Sequence, residues 1–146
     1  MFGTDTRVGA VMSTQLWTIE QNEKLAEADE VMRARRVRHL LAVDEEGALT
    51  GVLSQRDIYH GGLLKALGYG TRAKQKALEG LLVKEAMTAD PVTASPEMAL
   101  RDAARLMVER KLGCLPVVDA GRLVGILTES DFARLAAGLA PGGHAA

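Results

Sequence analysis

The 146 residues carry 18 Lys plus Arg against 19 Asp plus Glu, and 47% of them are hydrophobic. A chain so balanced can bury a core but exerts no global pull on nucleic acid or anionic lipid. The longest apolar runs, such as 81–83 and 123–127, fall far short of the roughly 20 residues that span a bilayer. MFGTDTRVGAVM contains an acid and no continuous apolar block, so neither a membrane segment nor a signal peptide is expected and the protein is placed in the cytoplasm.

In chain order, LWTI (16–19) is short and partly β-branched, which predicts a strand. Leu25, Ala28, Val31 and Met32 then recur at helical spacing and predict one apolar stripe. LLAVD, a turn at EEG and LTGVL read as two buried strands joined by a tight connection, and 55–67 as a closing helix able to stop near Gly68. Residues 61–84 read as a partly helical connector. Its bases Lys65, Arg72, Lys74, Lys76 and Lys84 face only Glu79 and form a solvated face rather than a nucleic-acid contact.

The same order then returns. PVTA (91–94) is a strand, and Leu100, Ala103, Leu106 and Met107 form a helical stripe. LPVVD, a turn at AG and LVGIL are two strands, 129–139 is a closing helix and PGGHAA is a loose tail. Shifting the chain by 75 residues lays Met12 on Met87, Thr18 on Thr93, Leu25 on Leu100 and Asp44 on Asp119. With one residue removed near Glu46, Gly51 falls on Gly125 and Asp57 on Asp131. The unit of folding is therefore the repeat. The boundaries read as 8–67 and 85–140 for the repeats, 68–84 for the connector and 141–146 for the tail, in a mixed α/β (α+β) fold.

Ser54-Gln-Arg-Asp57 and Thr128-Glu-Ser-Asp131 have the spacing of a capping box. Capping does not call for the glycine three places upstream, Gly51 or Gly125, inside a predicted strand. Two explanations stand: close approach of a ligand, or tight packing of one repeat on the other. A hydroxyl beside helix-start amides suits a phosphate, and an aspartate acceptor suits a ribose diol, so the pattern points to a nucleotide. Catalysis is not expected: His39, His60 and His144 lack companions at ligand or triad spacing, no metal set is present, and Cys114, the sole cysteine, reads as a small buried hydrophobe.

The stretches AMTADPVTA, KLGCLPVVD and GRLVGILTESD, preceded by the looser copy VMSTQLWTI, RHLLAVD and GVLSQRD, resemble the CBS domain, named for cystathionine β-synthase. The resemblance covers nearly the whole chain. It implies two β-α-β-β-α repeats packed around a pseudo-two-fold axis with two clefts, and pairing into a homodimer. It also implies binding of AMP, ADP, ATP or S-adenosylmethionine as a regulatory ligand, with no required cofactor and a protein partner that the sequence does not identify. By the same resemblance Asp57 and Asp131 hold ribose, and Ser54 and Thr128 lie beside phosphate or ribose. Thr18 and Thr93, with the backbone around Ile19 and Ala94, approach the ligand, and Arg38 and His39 lie where phosphate-binding bases are found. Gly113 and Cys114 replace that pair in the second copy, so the clefts are expected to differ in phosphate preference. A ligand-free structural dimerisation module and a nucleic-acid binder are the competing readings.

Overall fold

The computed structural model describes residues 5–66 and 71–140, and the side chains of all of these except 61–66 and 71–74. Gly68 and the tail lie outside the described residues, as do the side chains of Lys65, Arg72 and Lys74. The chain forms two compact units whose boundaries cut across the sequence repeats. One is Trp17–Pro91, and the other joins the described part of Met1–Leu16 to that of Val92–His144.

In the first unit a four-stranded sheet runs in the order β1 (Thr18–Glu20), β2 (His39–Val43), β3 (Leu49–Ser54), β4 (Thr88–Ala89). β1 is parallel to β2, and the other pairs are antiparallel. The crossover from β1 to β2 is α2 (Leu25–Arg35), whose Leu25, Ala28 and Met32 are buried, as the stripe predicts. They share a core with Leu40, Ala42, Leu53, Ile58, Leu78 and Val83. Burying a side chain of leucine size contributes about 1.5–3 kcal/mol, so this cluster supplies much of the unit's stability. α3 (Gln55–Ala66) follows β3, while α4 (Thr71–Glu79) occupies the stretch read as a connector.

The second unit repeats the plan. α6 (Leu100–Arg110) buries Leu100, Ala103 and Met107 against β5 (Cys114–Asp119) and β6 (Arg122–Thr128), and α7 (Glu129–Ala136) closes it. Cys114 is buried at the start of β5. Both crossover helices end on a residue in the left-handed region, Arg36 at φ 56° and Lys111 at φ 54°. The following amides turn back to the helix, Val37 N–H to Met32 O at 3.1 Å and Leu112 N–H to Met107 O at 2.9 Å, which satisfies a terminal carbonyl in each.

Two short helices exchange places relative to the sequence repeats. α1 (Val8–Val11), written at the head of the first repeat, folds into the second unit with Val8 and Val11 buried. Its counterpart α5 (Val83–Ala86), written at the head of the second repeat, folds into the first unit with Val83 buried. The bonds match residue for residue. Val8 N–H donates to Met98 O and Gly9 N–H to Pro96 O, both at 2.9 Å, while Val83 N–H donates to Glu23 O at 2.8 Å and Lys84 N–H to Gln21 O at 2.9 Å.

PVTA, expected as a strand, makes only an isolated parallel bridge, Ala94 to Val117. Two prolines explain the shortfall. In the first unit Leu41 N–H donates to Trp17 O at 3.0 Å and Gln21 N–H to Val43 O at 2.8 Å. The equivalent donors in the second copy are Pro116 and Pro96, which have no N–H. Only the bonds of Ala94 remain, its N–H to Pro116 O at 2.9 Å and its carbonyl accepting from Val118 N–H at 2.8 Å.

Candidate functional site

The topology gathers the first copy's candidates at one end of its sheet. β1 and β2 are parallel and both start there, with Thr18 opposite Leu41, and β3 finishes there, with Ser54 opposite His39. α3 begins at the same end, its first amide, Gln55 N–H, donating to Arg38 O at 2.8 Å. Arg38, His39, Ser54 and Asp57 are thus neighbours. Thr18 is exposed at the head of the edge strand, while Ile19 is buried in the core.

Ser54 and Asp57 close a reciprocal box. Asp57 N–H donates to Ser54 Oγ at 3.1 Å, and Ser54 N–H donates to Asp57 Oδ2 at 2.8 Å. Each bond satisfies an amide that the helix start would otherwise leave without a partner, and the carboxylate sits at the positive end of the helix dipole. The amides of Gln55 and Asp57 are thereby used internally, so a phosphate arriving at α3 would rely on side-chain cations more than on these amides. Asp57 itself is half-buried.

The second copy has the same frame with different chemistry. Thr128 lies opposite Cys114, and Glu129 N–H donates to Gly113 O at 3.2 Å. Thr128 N–H donates to Asp131 Oδ2 at 2.7 Å, the Thr128 hydroxyl lies 3.3 Å from the same oxygen, and that hydroxyl is 2.9 Å from Ser130 Oγ. Asp131 is 1% exposed. Thr93 is exposed, Ala94 is buried, and the only N–H of Ala94 is already given to β5.

The strand glycines have a packing reason. A Cβ on Gly51 would stand 2.5 Å from Met87 Sδ and 2.8 Å from Thr88 O, and one on Gly125 would meet the sulfur of Met12 and stand 3.0 Å from Ser13 O. Each glycine receives the segment that follows the exchanged short helix. Of the two explanations the sequence leaves open, backbone and methionine from the other sequence repeat fill the space. The clue was present in the sequence: Met12 and Met87 are themselves repeat-equivalent.

The arginines after α2 also separate. Arg33 pairs with Asp29 at 3.1 Å, the Arg35 guanidinium lies 4.7 Å from the centroid of the Trp17 ring, and Arg36 forms the left-handed helix end. The Trp17 contact had no sequence signal beyond proximity of the two ends of one crossover. Arg38 is exposed at the site. Among the described residues no group of three His, Cys, Asp or Glu could hold a metal ion, and no helix is long and apolar enough to cross a membrane.

Duplicated crossover units, each closing on a hydroxyl-acid box at a helix start, define a tandem-repeat architecture. The CBS domain family model matches residues 8–61 and 83–138, and the chain belongs to that family as a CBS pair. It is 34% identical over 122 residues to the CBS domain-containing protein YhcV of Bacillus subtilis, covering 84% of this chain and 79% of that one. Two further curated relatives are matched over 42% and 25% of their own lengths. Among solved structures, CBSX2 in complex with AMP is 31% identical with a TM-score of 0.72, over 90% of this chain and 96% of that one. The CBS domain pair of MJ0100, in complex with 5′-methylthioadenosine and S-adenosylmethionine, is 29% identical with a TM-score of 0.73, over 91% and 97%.

Proposed function

We propose that this CBS pair is a regulatory module that binds an adenosine compound, AMP, ADP, ATP or S-adenosylmethionine, and transmits its occupancy to a protein partner, acting as a cytoplasmic homodimer without chemistry of its own. The observation that carries the reading is the likeness, over nine-tenths of the chain, to a CBS pair crystallised with AMP. The residues at the start of α3 supply matching chemistry. Ser54 N–H occupies one oxygen of Asp57, and the other is suited to accept from a ribose diol. Arg38 stands beside the helix start as a cation for phosphate, and Thr18 heads the adjacent strand. Occupancy can shift the module only by the ligand's differential affinity for its conformations.

A second reading, a structural module whose boxes only cap helices, draws on one specific observation: both boxes are closed by their own residues, and both strand glycines are accounted for by packing. Thermal melts separate the two. A nucleotide at 100 times its dissociation constant stabilises the folded state by about 2.7 kcal/mol, a shift of several degrees. An unchanged melting point with AMP, ADP, ATP and S-adenosylmethionine at millimolar concentration would leave only the structural module.

A further inference from the structure

We propose that Met12 and Met87 are a pair of oxidation-sensitive clips. As thioethers they hold the two exchanged short helices in place, and conversion to the sulfoxide by a peroxide releases both segments reversibly. The device is independent of the adenosine site and needs no ligand.

Met12 and Met87 end α1 and α5, their N–H groups donating to Val8 O at 2.8 Å and to Val83 O at 2.9 Å. Helices of four residues have no stability of their own, so both rely on packing. Each methionine supplies that packing by seating its side chain on a strand glycine. A Cβ on Gly51 would lie 2.5 Å from Met87 Sδ and 2.9 Å from its Cγ, and one on Gly125 would overlap Met12 Sδ and lie 3.0 Å from its Cγ. Beyond the glycines, Met87 packs on the core of the first unit and Met12 on that of the second. The backbone that follows is fastened lightly. Ser13 and Ile126 trade two N–H to carbonyl bonds of 2.9 Å, and after the two residues of β4 Asp90 N–H donates to Thr50 O at 3.2 Å.

In the oxidation the sulfur lone pair attacks a peroxide oxygen: the S–O bond forms as the O–O bond breaks, sulfur gives up two electrons, and hydrogen peroxide leaves as water. A flexible apolar side chain thereby becomes polar, with an oxygen on the very atom pressed against the glycine. The Thr88 and Ser13 carbonyl oxygens crowd the same two places, 2.8 and 3.0 Å from the glycine Cβ positions. Both are acceptors, as is the new oxygen, so the sulfoxide meets repulsion where it has no room, and the side chain leaves its seat for water. Exposure selects the sites. Met12 and Met87 are half-buried and within reach of a small oxidant, whereas Met32 and Met107 are 2% and 5% exposed. Met98 is half-buried as well but ends no exchanged helix, which makes it an internal control.

Hydrogen peroxide treatment of the ligand-free full chain tests this, with peptide mass mapping, thermal melts and amide exchange, beside a variant combining Met12→Leu and Met87→Leu. Leucine fills a similar apolar volume and cannot be oxidised. The expected result is one oxygen added at each of Met12 and Met87 and a melting temperature lower by about 5 °C or more. Exchange at the Ser13 and Asp90 amides should accelerate about tenfold or more, while Ala94 N–H, bonded to Pro116 O, keeps its protection. Methionine sulfoxide reductases acting on both epimers should restore the melting temperature, which damage of other kinds would not allow. The leucine variant should be indifferent to peroxide. Full oxidation of both methionines with melting and exchange unchanged overturns the proposal, and so does resistance of both to peroxide in the folded chain. An equal loss in the leucine variant, which keeps Met98 and Cys114, overturns it too. Should that variant not fold, the exchange and reductase measurements on the unaltered chain decide by themselves.

Discussion

The first unit pairs four strands and the second two, although one repeat wrote both. The second sheet lacks a proper first strand because Pro116 and Pro96 stand where Leu41 and Gln21 donate ladder hydrogen bonds in the first. The frame survives the loss. α6, the β5–β6 hairpin and the exchanged α1 hold the same bonds as α2, β2–β3 and α5, because burial of Val8, Leu100 and Leu127 does not depend on a first-strand ladder. The helix starts differ more deeply: the Asp57 carboxylate is half-buried, and that of Asp131 is enclosed. Backbone frame and helix-start chemistry have diverged at different positions, so likeness of fold between the copies does not carry likeness of residues at the helix starts.

The comparison can be broken most sharply at the glycines. Gly51→Ala puts a methyl against the Thr88 carbonyl at 2.8 Å, a backbone atom that cannot swing away, whereas Gly125→Ala meets chiefly the flexible Met12 side chain and the Ser13 carbonyl at 3.0 Å. Overpacking of this kind costs about 1–3 kcal/mol, with Gly51→Ala at the upper end and Gly125→Ala at the lower. Denaturant unfolding of each with Met87→Ala and with Met12→Ala forms four double-mutant cycles. Coupling of Gly51 to Met87 and not to Met12 is expected from the exchange, and the reverse would contradict it.

A smaller effect is expected at the caps. Asp131→Ala leaves the Thr128 amide without its acceptor inside the protein and should lower stability by about 1–2 kcal/mol, while Asp57→Ala, half-buried and open to water, should cost about 0.5–1 kcal/mol. Thermal melts of the ligand-free proteins rank them. Equal losses would mean that the two boxes are equally solvated, against the burial difference. The smallest expected change is a gain: Pro116→Leu restores the donor that Leu41 supplies in the first copy, worth at most about 1 kcal/mol and offset in part by the freer unfolded chain. Amide exchange at residue 116 would show the new bond directly, and a freely exchanging amide there would mean that the proline did not shorten the strand.

Much of the fold is legible in the residues. The stripes Leu25-Ala28-Met32 and Leu100-Ala103-Met107 are buried as their spacing requires, and the Ser54–Asp57 and Thr128–Asp131 spacings form boxes, because helix periodicity and capping are local properties of a few neighbouring residues. PVTA misled because a strand needs donors on its partner, and β-branched composition says nothing about a proline 22 residues later, at Pro116. Gly51 and Gly125 were recognisable as special but not explicable, since the atoms that crowd them, in Met87 and Met12, lie far along the chain.

The duplication, the helices, the paired strands and the residue types offered at each helix start all follow from short-range periodicity and a comparison of the chain with itself. Which short helix completes which unit, and that Asp131 is enclosed while Asp57 is half-buried, emerge with folding. Both depend on burial, which is set by contacts between residues distant in sequence and leaves no local mark on either.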